Sequence, residues 1–145
     1  MREVSASVVT CAGPDRALNA FLDPGSLRSW WAVERALVEP REGGVWCLAW
    51  DVTPVGLGHV VAAVVDTLAP SRYLLLDHFV YLEPGHRLLG PMTLEVCVDP
   101  LNGGSEVEVC QGGYGYGRDW DWYYWSVQEA WPRALSSLKA FLDEA

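Results

Sequence analysis

Lysine is almost missing from this sequence: Lys139 is the single one. Ten basic residues face nineteen acidic ones, for a net charge of −9. A chain this acidic is repelled by phosphate backbones and by anionic lipid headgroups, which excludes nucleic acid and membrane surfaces as partners. No apolar run approaches the roughly 20 residues of a membrane span. The opening MREVSASVV has no apolar signal core, so a cytoplasmic location is the expectation. Paired cysteines are missing too. Cys11, Cys47, Cys97 and Cys110 show no CxxC spacing and no nearby paired histidine, which excludes a structural zinc site and leaves four free thiols. His59, His78 and His86 have no metal-ligand spacing and read as surface or core histidines. The glycines at 112, 113, 115 and 117 precede a helix but lack the lysine and spacing of a phosphate loop. No serine or cysteine has a base placed beside it. Neither metal nor cofactor is expected.

Hydrophobic residues are what the chain has in quantity. They make up 50 % of its 145 residues, enough to build a good core in one domain spanning 1–145. The richest stretch is Arg118 to Ala145. At helical spacing one stripe collects Trp120, Tyr123, Tyr124, Val127, Trp131, Ala134, Leu135, Leu138, Phe141 and Leu142, and the opposite face is polar. This is an amphipathic helix lying on a core, with Asp119 as its expected cap. Pro132 sits on its polar face and should kink it. Trp122 and Trp125 fall off the stripe. They either pack under a neighbouring loop or form a homodimer patch.

Upstream, Glu3 to Thr10 alternates and reads as a strand. Pro14 opens a short helix that Asp23-Pro24-Gly25 stops, and Ser26 is the expected cap of a second short helix ending near Trp31. Six strands follow. They are Ala36 to Val38, Val45 to Asp51, His59 to Leu68, Arg72 to Leu82, Met92 to Val98 and Ser105 to Gln111. In the last pair, matching inward faces sets Val98 opposite Val107, Val96 opposite Val109 and Leu94 opposite Gln111. Cys97 and Cys110 are then diagonal neighbours on the outer face, too far apart for a disulfide. Six consecutive strands with short connections form an antiparallel sheet, and its apolar face closes on the long helix. The fold class is α+β, a helix-grip arrangement.

Several landmarks come in a telling order. They are GPDRALNAFLDPGSLRSWW, EPREGGVW with Pro40, Gly43 and Gly44, APSRYLLLD, VEVCQGGY, and WSVQEAWPRALSSLKAFL. Together they resemble the START/SRPBCC superfamily, in particular its AHSA-type branch of heat-shock ATPase activator homologues. The resemblance implies a curved antiparallel sheet wrapped around the last helix, with a pocket for a small apolar molecule between them. It also implies that some members act as cyclases or dehydratases. The branch name points to chaperone contact, but nothing in this chain supplies a second domain for that role. Where the family often carries a His-x-Gly-aromatic segment, this sequence has Gln111, Gly113 and Tyr114. A neutral amide hydrogen-bonds but does not titrate.

The candidate ligand-binding residues are Trp46, Trp50, Tyr73, Asp77, Phe79, Gln111, Trp120, Tyr124 and Trp131: large apolar surface with two orienting polar groups. In Arg72 to Leu82 both faces are mostly apolar, so alternation leaves open whether Asp77 or His78 points inward. The resemblance favours Asp77. Three function classes follow. The first is a binding module for a small hydrophobic or aromatic ligand. The second is a cyclase- or dehydratase-type enzyme using Asp77 or His78 as acid–base group and Tyr124 as donor. The third is a protein-interaction domain using Trp122 and Trp125.

Overall fold

The computed structural model describes residues 2–144. The chain opens with β1 (Glu3–Thr10), followed by α1 (Pro14–Asn19) and α2 (Pro24–Trp31). Six strands come next: β2 (Arg35–Val38), β3 (Val45–Trp50), β4 (His59–Ala69), β5 (Tyr73–Leu82), β6 (Leu89–Leu101) and β7 (Gly104–Gly112). The helix α3 (Arg118–Asp143) closes the order. One antiparallel sheet holds all seven strands in the order β1-β7-β6-β5-β4-β3-β2. The first strand therefore lies beside the last, and α1 and α2 carry the chain across to the far edge. The sheet curves around α3, as a helix-grip fold does.

Local chemistry accounts for most boundaries. Pro14 and Pro24 each sit in a first helical turn, where their missing N–H costs nothing. Asp23, rather than Ser26, caps α2: its carboxylate accepts from the Ser26 backbone N–H at 2.8 Å and from the Ser26 hydroxyl at 2.9 Å. Gly117 stands at the N-cap of α3 without a side-chain cap. Asp119, the expected cap, lies inside the first turn and faces His86 at 3.4 Å. The helix runs unbroken through Pro132, which is exposed. The β6–β7 hairpin turns on Asn102 and Gly103 alone, both at positive φ (48° and 83°), the geometry that Asn-Gly favours between paired strands.

The register between β6 and β7 follows the hydrophobic alternation. Val98 pairs with Val107, Val96 with Val109 and Leu94 with Gln111. All four cysteines are free. Burial pushes the Cys47, Cys97 and Cys110 thiols up.

Strand β5 breaks the alternation. Between Leu76 and Phe79 it holds two residues, Asp77 and His78, where β6 holds only Thr93 between Leu94 and Met92, and β4 likewise has one residue fewer between the partners of Asp77 and Val80. This is a β-bulge, and His78 takes the extra position with φ 52°. Leu74 and Leu76 point inward before the bulge, and Phe79 does so after it. Asp77 and His78 both turn to solvent, with side chains 43 % and 73 % exposed. The expectation that one of the two faces the helix is corrected here. A strictly alternating strand must send one inward; a bulged one need not.

Two side-chain ties fasten α3 across the first connection. Asp143 accepts from the Thr10 hydroxyl at 2.6 Å and from the Cys11 backbone N–H at 3.0 Å. Arg16 donates to the Leu142 carbonyl at 2.5 Å. Lys139 at 2.7 Å, then the Thr10 hydroxyl and the Cys11 N–H, hold the Asp143 carboxyl well below the usual carboxylate range. Among the described residues no helix is long and apolar enough to cross a membrane.

Candidate functional site

Inward-facing aromatic residues of the sheet meet the stripe of α3, and they do not fill the space between them. A cavity of about 400 Å³ remains. Trp31 at the end of α2, Trp50, Phe79 and Tyr81 wall it on one side, and Trp122, Tyr123, Val127 and Trp131 of α3 on the other. Its rim carries His59, Glu83, Ser126 and Ala130.

The rings are held by contacts within the protein. Trp50 donates its indole N–H to the Trp31 carbonyl at 2.9 Å. Trp31 lies edge-on to Trp50, with centroids 5.4 Å apart, and tilts against Trp131 at 5.2 Å. His59 stacks on Trp50 with centroids 4.6 Å apart and 12° between the planes. Burial lowers the His59 pKa, opposed by the nearby carboxylates of Glu83 and Asp51. Tyr81 donates to Glu83 at 2.6 Å. An indole N–H is a donor only. With those of Trp50 and Trp131 already bonded, these two residues present apolar ring face to the cavity.

The polar end of the cavity is built on Gln111, which is buried. Its Oε1 accepts from Trp131 Nε1 at 2.9 Å, and its Nε2 donates to the Tyr123 hydroxyl at 2.9 Å and toward Met92 Sδ at 3.6 Å. β7 aims Gln111 inward because it continues the alternation of Val107 and Val109. Burial pushes the Tyr123 phenol up, and the Gln111 bond works the other way.

Of the residues expected from sequence, Trp50, Phe79, Gln111 and Trp131 line this cavity, and the others lie elsewhere. Trp46 is fully buried in the core and donates to the Phe21 carbonyl at 2.8 Å. Tyr73 bonds Glu95 at 2.5 Å on the outer face. Asp77 is on the bulge. Trp120 packs under Gly115 and against Tyr114, which also meets Tyr124 edge-on at 5.2 Å. The Arg2 guanidinium lies 4.8 Å from the Tyr124 ring centre.

Trp31, His59, Tyr81, Glu83, Trp122 and Tyr123 also line it and are absent from the residues expected from sequence. Tyr81 was within reach of that reading, because it shares the Phe79 face beyond the bulge. Trp122 takes the loop-packed alternative, stacked on His86. Trp125 stays 64 % exposed.

The model of the family described as activator of Hsp90 ATPase homolog 1-like protein matches residues 12–143. None of the curated protein sequences matches the chain. Among solved structures, protein CV1439 from Chromobacterium violaceum is 22 % identical with a TM-score of 0.76, covering 99 % of this chain and 98 % of its own. Protein MLL2253 from Mesorhizobium loti is 17 % identical, with a TM-score of 0.75 and the same coverage. The Aha1 dimer from Colwellia psychrerythraea is 14 % identical, also with a TM-score of 0.75 and coverage of 99 % and 98 %. At such identities the structures establish a shared fold.

Proposed function

We propose, from the premise that this chain belongs to the activator of Hsp90 ATPase homolog 1-like family, that it binds a small hydrophobic or aromatic molecule between the sheet and α3. The observation that carries this reading is the cavity of about 400 Å³, walled by held aromatic rings with one buried polar end. Ligand pockets are of this size and make-up. Trp50, Phe79, Gln111 and Trp131 contact the ligand, joined by Trp31, Tyr81 and Tyr123. The acid–base residues an enzyme reading relied on, Asp77 and His78, lie outside the cavity, which favours binding over turnover.

Native mass spectrometry of the freshly purified chain tests this, with Ala130→Trp as the comparison. Ala130 is exposed at the rim, so an indole there plugs the mouth without entering the core. The wild type should carry a stoichiometric apolar molecule, or take up added naphthalene with quenching of its tryptophan fluorescence. Ala130→Trp should do neither. A clean mass together with no naphthalene quenching in the wild type would sink the reading.

A homodimer through Trp125 is a second reading. Trp125 is 64 % exposed on α3, and the Colwellia psychrerythraea relative is a dimer. Trp125→Ala should then elute later from a sizing column; an unchanged volume removes Trp125 from any interface.

A further inference from the structure

The buried polar end of the cavity has one proton left over. Trp131 Nε1 is a donor and nothing else, so the Gln111 atom 2.9 Å from it must be the carbonyl oxygen. That fixes the amide: its NH₂ faces the Tyr123 hydroxyl. Turning the amide over would set two donors against each other at Trp131. The Tyr123 oxygen therefore accepts, and its own proton must point elsewhere. Among the described residues no acceptor stands within hydrogen-bond distance of it other than Gln111, whose facing atom is itself a donor. Tyr123 is only 5 % exposed, and the open space it borders is the cavity. A buried donor without a partner carries a free-energy cost that a ligand acceptor would relieve.

The rest of the lining restricts what brings that acceptor. Trp31, Trp50, Phe79, Tyr81 and Trp131 present ring surface, which suits a flat apolar body. The described lining contains no Lys or Arg, and Glu83 stands at the rim. A carboxylate or phosphate entering the cavity would lose its hydration without gaining a cation. The volume lies toward the small end of ligand pockets, room for roughly two or three fused rings.

We infer that the ligand is a neutral, planar aromatic compound carrying an acceptor oxygen of the carbonyl type, bound with that oxygen on the Tyr123 hydroxyl. This rests on the binding reading above and narrows it to a chemical class. Gln111 acts as a positioning residue: held by Trp131, it turns the Tyr123 proton away from itself and toward the cavity.

Fluorene and 9-fluorenone differ only in the carbonyl, so the experiment titrates both, with fluorene-2-carboxylate, into the full chain and follows tryptophan fluorescence. Fluorenone is the less apolar of the pair, so partition alone would favour fluorene. A hydrogen bond from Tyr123 should reverse that order and make fluorenone bind about tenfold tighter, the ratio one such bond gives. The carboxylate should bind weakest. In Tyr123→Phe the fluorenone advantage should vanish. Equal binding of the neutral pair by the wild type, or an advantage that survives Tyr123→Phe, overturns the assignment while leaving the cavity reading intact. No binding of any of the three overturns the assignment, and a clean mass with no naphthalene quenching as well overturns both. The wild-type comparison needs no variant, so a poorly folding Tyr123→Phe would not shelter the proposal.

Discussion

The imidazole of His86 lies parallel to the indole of Trp122, with centroids 4.0 Å apart and 2° between the planes. Glu83 and Asp119 flank the imidazole at 3.7 Å and 3.4 Å. The connection between β5 and β6 is thereby pinned to the first turns of α3, at the rim of the cavity. Trp122→Ala should release it. The expected outcome is faster amide hydrogen exchange over residues 83–88 and a stability loss of about 1 kcal/mol. His86→Ala should do the same, and the two changes together should cost less than their sum. Additive losses would show that the stack does not hold the loop.

Gln111→Leu should destabilise the fold by about 1–3 kcal/mol, because it leaves the Trp131 N–H buried without an acceptor. Adding Trp131→Phe should restore part of that loss, since both polar partners are then gone. Urea unfolding of the two variants measures this. A double variant less stable than Gln111→Leu would mean that Trp131 matters through packing rather than through its bond.

The two tryptophans of β3 should respond differently to truncation. Trp46 is fully buried and bonded to Phe21, so Trp46→Ala should cost about 3–5 kcal/mol. Trp50 is half-buried against an open cavity, so Trp50→Ala should cost clearly less and weaken ligand binding. Denaturation midpoints decide it; equal losses would place Trp50 in the core proper.

Stability should fall on both sides of neutrality. Burial lowers the His59 pKa below its ordinary 6.5, so the folded state favours neutral imidazole. Its contribution is complete above about pH 6.5 and is lost as pH falls through the lower folded value. His59→Phe keeps a ring on Trp50 and should flatten the melting temperature between pH 7 and 5. At the alkaline end burial holds the Tyr81, Tyr114 and Tyr123 phenols protonated beyond their ordinary value of 10. That contribution is complete below about pH 10 and is lost as pH rises further. Phenolate absorbance from these three rings should therefore appear together with loss of near-ultraviolet circular dichroism. Absorbance equal to all six tyrosines while the near-ultraviolet signal persists would contradict it.

The fold was legible where one face of an element is apolar. The stripe of α3 and the pairing of Val96 with Val109 both follow from periodicity, because a slip of one residue would turn apolar side chains to water. The site was half legible. Trp50, Phe79, Gln111 and Trp131 are inward residues of regular segments. Asp77 was misplaced because a bulge is an insertion of one residue into a ladder, and nothing in LLLDHFV marks which residue is extra. Trp31 and His59 escaped for another reason: they reach the cavity through contacts between elements distant in sequence.

The pairing of Glu3 with Gly112, and of every β1 residue after it with β7, bears on how the protein is made. At a synthesis rate of roughly 5–20 residues per second, β1 waits about 5–20 s on the ribosome before its only sheet neighbour exists. During that interval Val4, Ala6 and Val8 have no place in the sheet, and the nascent chain must be kept from strangers until it can meet its own other end.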